Sequence, residues 1–154
     1  FICENNLYSV YSPMSVRQPA KRSIFRMVKA MGIKAFKCDG NDVLGVYKLI
    51  NKVTKDVRKG NGPYFLEFPT YRWLEHCGPN FDNNIGYRTE EEFKKWKRKE
   101  PIKRLEKRLD HRSCRKLKKI HKDTKKEIAK AFEFAEKSKF PSQSDAYTGV
   151  YAQS

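Results

Sequence analysis

The chain has 154 residues, a length that fits one domain of ordinary size. A hydrophobic content of 38% and an aromatic content of 13% supply material for a buried core, which argues against a fully disordered chain. No stretch approaches the roughly 20 apolar residues of a membrane span, so an integral membrane protein is not expected. The 34 Lys and Arg residues outnumber the 18 Asp and Glu residues, which gives a formal net charge of +16.

Four cysteines are spread along the chain without a CxxC pair, at Cys3, Cys38, Cys77 and Cys114. They are too sparse for a disulfide scaffold, and they lack the spacing of a structural zinc site. We therefore predict buried or half-buried thiols in a reducing compartment.

The chain opens on an apolar run, Phe1-Ile2-Cys3, without Met and without the regions of a secretory signal. An apolar run at the first position is typical of the end of a buried strand. We therefore expect a fragment that begins inside a sheet.

The first half of the chain alternates strand and helix patterns. In chain order it predicts a strand end at 1–4, a polar loop at 5–20, a helix at 21–31 before Gly32, a strand at 33–38, a turn and helix start at Asp39–Asp42, a helix from Val43 that stops at Gly60, and a strand at 64–68. Long crossovers between strands require parallel pairing with right-handed connections. The pattern therefore predicts an α/β fold whose parallel sheet has flanking helices.

A long loop at 69–88, rich in Gly, Pro, Asn and Asp, separates this half from a helical region. Loops of this length in compact domains usually serve a functional site or are disordered. Helices are then predicted at 90–98, 101–109 and 113–137, with Thr89 and Glu92 as a capping box, Pro101 at the first helical position and Ser113 as N-cap. The tail 138–154 is predicted to be an extended arm.

The excess positive charge is concentrated in the C-terminal helices, since residues 88–130 hold 19 Lys and Arg against 8 Asp and Glu. Such a run can bind the phosphate backbone of nucleic acid, or it can be a solvated helix face. We favour the solvated face, because the lysines are interleaved with glutamates and no motif of a nucleic-acid-binding fold accompanies them.

Classical catalytic motifs are absent, including GxxxxGK[ST], GxGxxG, HExxH and GxSxG. One polar segment, Cys3–Tyr8, follows the first strand. Ligands bind at the carboxyl ends of parallel strands, and Asn and backbone oxygens suit Mg²⁺ that holds a diphosphate. On these residues alone, an ordinary Asn-rich turn is the stronger interpretation.

The segment Phe1–Tyr8 (FICENNLY) resembles the second half of the thiamine diphosphate motif, which begins Gly-Asp-Gly and ends Asn-Asn. The rest of the chain resembles, in order, the α subunit of the E1 component of 2-oxo acid dehydrogenases. The matching stretches are Cys38–Tyr47, Gly62–Arg72, His76, Gly86–Glu92, Trp96–Leu105, Ala131–Glu136 and Val150–Tyr151. Asn-Asn alone is a weak signal, whereas several motifs in one order over the whole chain are specific.

The resemblance implies a thiamine diphosphate-binding fold, incomplete at its N-terminus, with the cofactors thiamine diphosphate and Mg²⁺. It implies that Asn6 binds the metal through its side-chain oxygen and Tyr8 through its backbone carbonyl. The third ligand, the Asp of Gly-Asp-Gly, would lie upstream. Residues 1–88 would be a partial diphosphate-binding domain with its active-site loop at 69–88, and 89–154 the helical region and tail of the same domain.

The resemblance also implies roles for the loop. His76 matches the active-site histidine that reaches the diphosphate and takes part in acyl transfer, although a surface loop histidine is the simpler interpretation of the residue by itself. Tyr87 and Arg88 match the part of the loop that orders over the bound cofactor. Arg72 matches an arginine at the base of the loop, where it would anchor the loop.

The segment around His76 departs from the pattern of pyruvate and branched-chain enzymes. It reads WLEHCGP over 73–79, and the Trp, Glu-His and Gly-Pro are more similar to the acetoin dehydrogenase branch. Cys77 stands where the usual phosphorylated serine is found, so kinase control by that route is not expected. Leu74 replaces a residue that is often polar, which leaves the substrate class open.

The resemblance implies cleavage of a 2-oxo acid or acetoin, with transfer of the acyl group to a lipoyl-bearing E2. An E1 β subunit would complete the site, in a heterotetramer, and the chain alone should not catalyse. The expected location is the bacterial cytoplasm, or the mitochondrial matrix in a eukaryote, and neither a membrane nor nucleic acid is an expected partner. The alternatives are a basic helical nucleic-acid-binding module and a degenerate, non-catalytic subunit.

Overall fold

The computed structural model describes residues 1–19 and 21–152, without the side chains of residues 111 and 112. Two compact units are present, one at 1–108 and one at 109–154. The division between residues 88 and 89 that the resemblance implies stays a prediction.

The first unit consists of three parallel strands with helices and a small hairpin. Its elements are β1 (Ile2–Asn5), β2 (Tyr8–Ser9), β3 (Ser12–Pro13), α1 (Met14–Arg17), α2 (Ile24–Ala30), β4 (Lys34–Lys37), α3 (Val43–Arg58), β5 (Tyr64–Pro69), α4 (Glu90–Lys97) and α5 (Pro101–Glu106). The second unit contains α6 (His111–Lys137) and a 3₁₀ helix (Gln143–Tyr147). None of the described helices is long and apolar enough to cross a membrane.

The parallel sheet has the strand order β1-β5-β4, so the last strand in sequence lies in the centre. Asn5 is opposite Pro69 on one side of β5, and Lys37 is opposite Glu67 on the other. The α/β fold with a parallel sheet is therefore confirmed. Because all three strands run the same way, the segments that follow Asn5, Lys37 and Pro69 leave from one edge of the sheet.

The core lies between β5 and α3, where Val53, Tyr64, Leu66 and Phe68 are buried together. The apolar side chains of α3 recur at helical spacing, so they share the face that meets the sheet. The Asp42 side chain accepts a hydrogen bond from the Gly45 amide and caps the helix, as the sequence predicts.

A buried asparagine fixes the carboxyl edge of the sheet. Asn41 is 1% exposed, its side-chain amide donates to the Lys99 carbonyl at 3.0 Å, and its oxygen accepts from the Thr70 hydroxyl at 2.8 Å. Beside it, a side chain at Gly40 would place Cβ 2.7 Å from the Pro69 carbonyl oxygen, so the position favours glycine. These contacts hold the start of the loop that follows β5.

Several sequence predictions need correction. Cys77 and Cys114 are exposed, against the prediction of buried or half-buried thiols, whereas Cys3 and Cys38 are half-buried as predicted. The predicted loop at 5–20 contains the hairpin of β2 and β3 and the short helix α1. The N-cap of α6 is Asp110 and not Ser113, because the Asp110 carboxylate accepts from the Ser113 amide at 2.7 Å and starts the helix earlier. The tail is not wholly extended, since it includes the 3₁₀ helix.

The predicted capping box at α4 forms only in part. The Thr89 hydroxyl accepts from the Glu92 amide at 3.1 Å, as predicted. The Glu92 carboxylate instead accepts a hydrogen bond from the Tyr8 hydroxyl. A tertiary contact therefore replaces the local bond, and it connects α4 to the turn after β1.

Candidate functional site

The turn that follows β1 is held by two asparagine side chains. Asn5 Oδ1 accepts from the Leu7 amide at 3.1 Å, and Asn6 Oδ1 accepts from the Tyr8 amide at 3.0 Å. Leu7 has a φ of 71°, in the left-handed region that residues other than glycine, Asn and Asp rarely adopt. The two side-chain bonds thus stabilise a strained backbone at the carboxyl edge of the sheet.

The hairpin determines where the Tyr8 carbonyl points. Tyr8 is opposite Pro13, which has no N–H, and the Met14 amide donates to the Leu7 carbonyl at 2.9 Å. In an antiparallel pair, hydrogen-bonded and non-hydrogen-bonded positions alternate, so Tyr8 occupies a non-hydrogen-bonded position. Its N–H and C=O therefore point away from β3, to the side from which Asn6 Oδ1 accepts.

This arrangement fits part of a site for a hard cation. It places the Asn6 side-chain oxygen and the Tyr8 carbonyl oxygen on one side of a turn. The Asn6 oxygen keeps a second lone pair after it accepts one hydrogen bond. Mg²⁺ prefers such oxygens. Within residues 1–19 and 21–152, no group of three or more His, Cys, Asp and Glu residues could hold a metal ion.

The Tyr8 side chain connects this turn to the long loop. Its ring packs edge-on against the rings of Tyr71 and Tyr87, with centroids 6.4 and 5.3 Å away. Burial has the largest effect on the pKa of the Tyr8 hydroxyl, and the hydrogen bond to Glu92 has the next largest. Both raise this pKa above its ordinary value. The hydroxyl therefore stays protonated at neutral pH and acts as a donor.

The long irregular segment spans residues 70–89, within one residue of the predicted bounds of 69 and 88. Arg72, at the base of this segment, contacts several polar groups. Its guanidinium lies 3.3 Å from His76 Nδ1 and 2.9 Å from the Tyr87 hydroxyl, and it donates to the Val10 carbonyl at 3.1 Å. Arginine has donors only, so Nδ1 of His76 accepts in this contact. A neutral ring whose Nδ1 accepts carries its proton on Nε2, and that Nε2–H is a donor.

A buried ion pair stabilises the same loop from inside. The side chains of Asp82 and Arg88 are 3% and 1% exposed and bond to each other. Arg88 also donates to the Arg72 and Trp73 carbonyls, at 2.6 and 3.1 Å, and its guanidinium stacks on the Tyr71 ring at 5.1 Å. Burial alone would raise the pKa of Asp82, but the hydrogen bonds from Tyr87 and Arg88 outweigh it and lower that pKa.

Residues 1–144 match the model of the dehydrogenase E1 component family. The chain belongs to this family. It is 30% identical over 154 residues to the pyruvate dehydrogenase E1 component subunit alpha of Rickettsia bellii and 32% identical to that of Rickettsia typhi, with 98% of the chain and 46% of each relative covered. It is 32% identical over 112 residues to the protein of the same name from Staphylococcus aureus, with 73% of the chain and 30% of the relative covered. The chain thus spans about half the length of the Rickettsia relatives.

The structure brings several of the predicted site residues of this E1 family member together. Arg72, His76 and Tyr87 are in one hydrogen-bonded group, and Arg88 contacts the backbone of Arg72. Tyr8 joins them through its ring, while Asn6 bonds within its own turn. The roles of these six residues toward a cofactor stay predictions.

Two residues of the site were missed by the sequence reasoning. Asp82 is one of several Asp and Asn residues in a polar loop, so the sequence offers no signal that it alone is buried. Glu67 did offer a signal, because it is a charged residue inside an apolar strand pattern, and such residues are rarely buried without partners. It is 1% exposed in β5.

Proposed function

We propose that the chain forms part of the α subunit of a thiamine diphosphate-dependent E1 component that acts on a 2-oxo acid. The observation that carries the proposal is the turn after β1, which directs Asn6 Oδ1 and the Tyr8 carbonyl to one side at the carboxyl edge of a parallel sheet. This is where ligands bind in parallel α/β folds, and the family match covers both the turn and the loop.

In this proposal Asn6 and Tyr8 supply two oxygens to Mg²⁺, and an Asp outside this chain supplies the third protein ligand. Thiamine diphosphate, when bound, supplies the carbon nucleophile and the electron sink for cleavage next to a carbonyl group. The role of the chain is to hold the metal and the diphosphate in place, because binding and orientation are what a protein contributes to such chemistry.

His76 is proposed to act through its Nε2–H. The Arg72 guanidinium at 3.3 Å from Nδ1 orients the ring and fixes this tautomer. The Nε2–H can donate to a diphosphate oxygen. It can also give its proton to the lipoyl sulfur that is released as a thiolate when the S–S bond breaks and the other sulfur takes the acyl group. Arg72 is itself oriented by Val10 and Tyr87, so His76 is placed by both the hairpin and the loop.

An E1 β subunit is the proposed partner, in a heterotetramer. It would supply the residues that bind the pyrimidine half of the cofactor. A lipoyl-bearing E2 is the proposed acceptor. The relatives are named as pyruvate dehydrogenases, so pyruvate is the proposed substrate. Acetoin is the second candidate, since Trp73, Glu75 and Gly78-Pro79 around His76 are more similar to the acetoin branch.

The test is a substrate panel with the full-length protein and its β subunit, supplied with Mg²⁺, thiamine diphosphate and lipoylated E2. Acyl transfer is measured with pyruvate, a branched-chain 2-oxo acid and acetoin. We expect turnover with pyruvate that depends on both cofactors and on the β subunit. Turnover with acetoin alone would assign the second candidate, and turnover with none of the three would contradict the proposal.

A further inference from the structure

The central strand of the sheet contains a glutamate that is removed from water. Glu67 is 1% exposed, and three donors surround its carboxylate. The Asn5 side-chain amide and the Lys37 ammonium are each 3.0 Å from Oε1, and the Phe25 amide is 2.9 Å from Oε2. The carboxylate therefore contacts β1, β4 and the first turn of α2 at once.

These donors keep Glu67 ionised. Burial alone would raise the pKa of Glu67, but the hydrogen bonds from Asn5, Lys37 and Phe25 outweigh it and lower that pKa. Burial of a charged side chain costs free energy unless the charge is paired and hydrogen-bonded. The groups that bond to Glu67 all lie at or near the carboxyl edge of the sheet.

The bond to Asn5 determines which way the Asn5 amide faces. Because Nδ2 donates to Glu67, Oδ1 must point in the other direction, where it accepts from the Leu7 amide at 3.1 Å. The backbone of Asn5 is fixed as well, since its carbonyl accepts from the Thr70 amide at 3.0 Å. Leu7, with its φ of 71°, is followed directly by Tyr8.

We propose that Glu67 is a positioning residue for the Mg²⁺–diphosphate site, acting through the Asn5 amide on the turn that presents Asn6 Oδ1 and the Tyr8 carbonyl. This inference rests on the proposed function. Glu67 would select the geometry of this turn from its buried position in β5, without contacting the cofactor. Residues that orient metal ligands from outside the coordination sphere typically contribute 10–100-fold to metal affinity.

Glu67→Gln is the main test because it keeps the shape and removes the charge. Glutamine has one acceptor oxygen for three donors, so its NH₂ must face at least one of them. If the glutamine oxygen faces Asn5 and Lys37, the Asn5 bond loses its charged acceptor and weakens. If the NH₂ faces Asn5, the Asn5 amide turns over to accept, and the Leu7 amide loses its partner. Asn5→Ala removes the same link from the other side and is informative even if Glu67→Gln folds poorly.

Lys37→Met is the matched control. It removes the third side chain of the cluster, which is 46% exposed, and leaves the Asn5 bond intact. The measurement is the Kd of Mg²⁺ at saturating thiamine diphosphate, by calorimetry on the full-length protein with its β subunit. The melting temperature without cofactors is recorded for each variant.

We expect Glu67→Gln and Asn5→Ala each to raise the Kd of Mg²⁺ by about 10–100-fold. Their double variant should show no further loss, because both remove one link. Lys37→Met should leave the Kd within threefold.

An unchanged Kd in Glu67→Gln and Asn5→Ala, with only a lower melting temperature, would show that Glu67 serves the fold alone and would overturn the inference. An equal loss in Lys37→Met would overturn it too. If the unsubstituted protein binds no Mg²⁺ with thiamine diphosphate, the proposed function fails and the inference fails with it. The two failures are distinguished because the unsubstituted protein is measured first.

Discussion

Asp82→Asn is expected to release the loop at 70–89 from the rest of the unit. The substitution keeps the side-chain volume and removes the only carboxylate that pairs with the buried Arg88 guanidinium among the described residues. Breaking one partner of a buried ion pair typically costs about 3–5 kcal/mol, because the other charge is left uncompensated. Arg88 also holds the carbonyls of Arg72 and Trp73, so the loss spreads to the base of the loop.

Hydrogen exchange measures this release directly. We expect amides of the loop to exchange roughly 100-fold faster or more in Asp82→Asn, since protection reports the free energy of local opening. Asp123→Asn is the control, because Asp123 is exposed in α6 and the same change there should leave loop exchange unaltered. Equal protection of the loop in Asp82→Asn and the unsubstituted protein would contradict the assigned role of the pair.

The same pair predicts a pH dependence of the loop. The pKa of Asp82 is lowered in the folded state, so the carboxylate stabilises the loop fully above the ordinary Asp pKa of about 3.9. That contribution is lost as the pH falls below this value and through the folded pKa. Loop exchange corrected for its intrinsic pH dependence should therefore stay constant from neutral pH to about 4 and rise below it. Asp82→Asn should lack this acid step.

His76→Ala is expected to reduce acyl transfer to lipoylated E2 by about 10²–10⁴-fold, the range typical of a lost general acid or base. The Nε2–H would be missing, while the Arg72 guanidinium would keep its bonds to Val10, Leu74 and Tyr87. The loop should then stay in place. Loop exchange should accordingly change much less than in Asp82→Asn.

Cys77→Ser is the control for this experiment, because it alters the next exposed residue in the loop by one atom. We expect its acyl transfer rate to equal that of the unsubstituted protein. A rate in His76→Ala within threefold of the original would return His76 to the simpler interpretation of a surface loop residue.

The sequence predicted the strands and helices well where apolar residues recur with a clear period. The apolar periodicity of α3 and the turn at Asn61–Pro63 are local signals, and they suffice to predict α3 and β5. The β2–β3 hairpin was missed because its strands have two residues each and no period can be read from them. At α6 two residues could cap the helix, and Asp110 precedes Ser113, so the helix begins at the first of them.

The candidate site was predicted less completely, for a different reason. The resemblance selected Asn6, Arg72 and His76, but it did not indicate what holds them. Glu67 acts through Asn5 at a separation of 62 residues, and Asp82 acts through Arg88 six residues away in an irregular loop where no periodicity can be read. Such contacts exist only once the sheet and the loop have formed, so a pattern of neighbouring residues does not reveal them.

The turn after β1 is proposed to hold half of a Mg²⁺–thiamine diphosphate site, and Asn6→Ala tests this role most directly. Thiamine diphosphate binding is titrated against Mg²⁺ in the full-length protein with its β subunit. Asn51→Ala is the matched control, since Asn51 is exposed on α3 and bonds only locally to the Tyr47 carbonyl in the described structure. We expect Mg²⁺-dependent binding that Asn6→Ala weakens by about 100-fold or more and Asn51→Ala leaves unchanged. Equal affinity in Asn6→Ala and the unsubstituted protein would contradict the account.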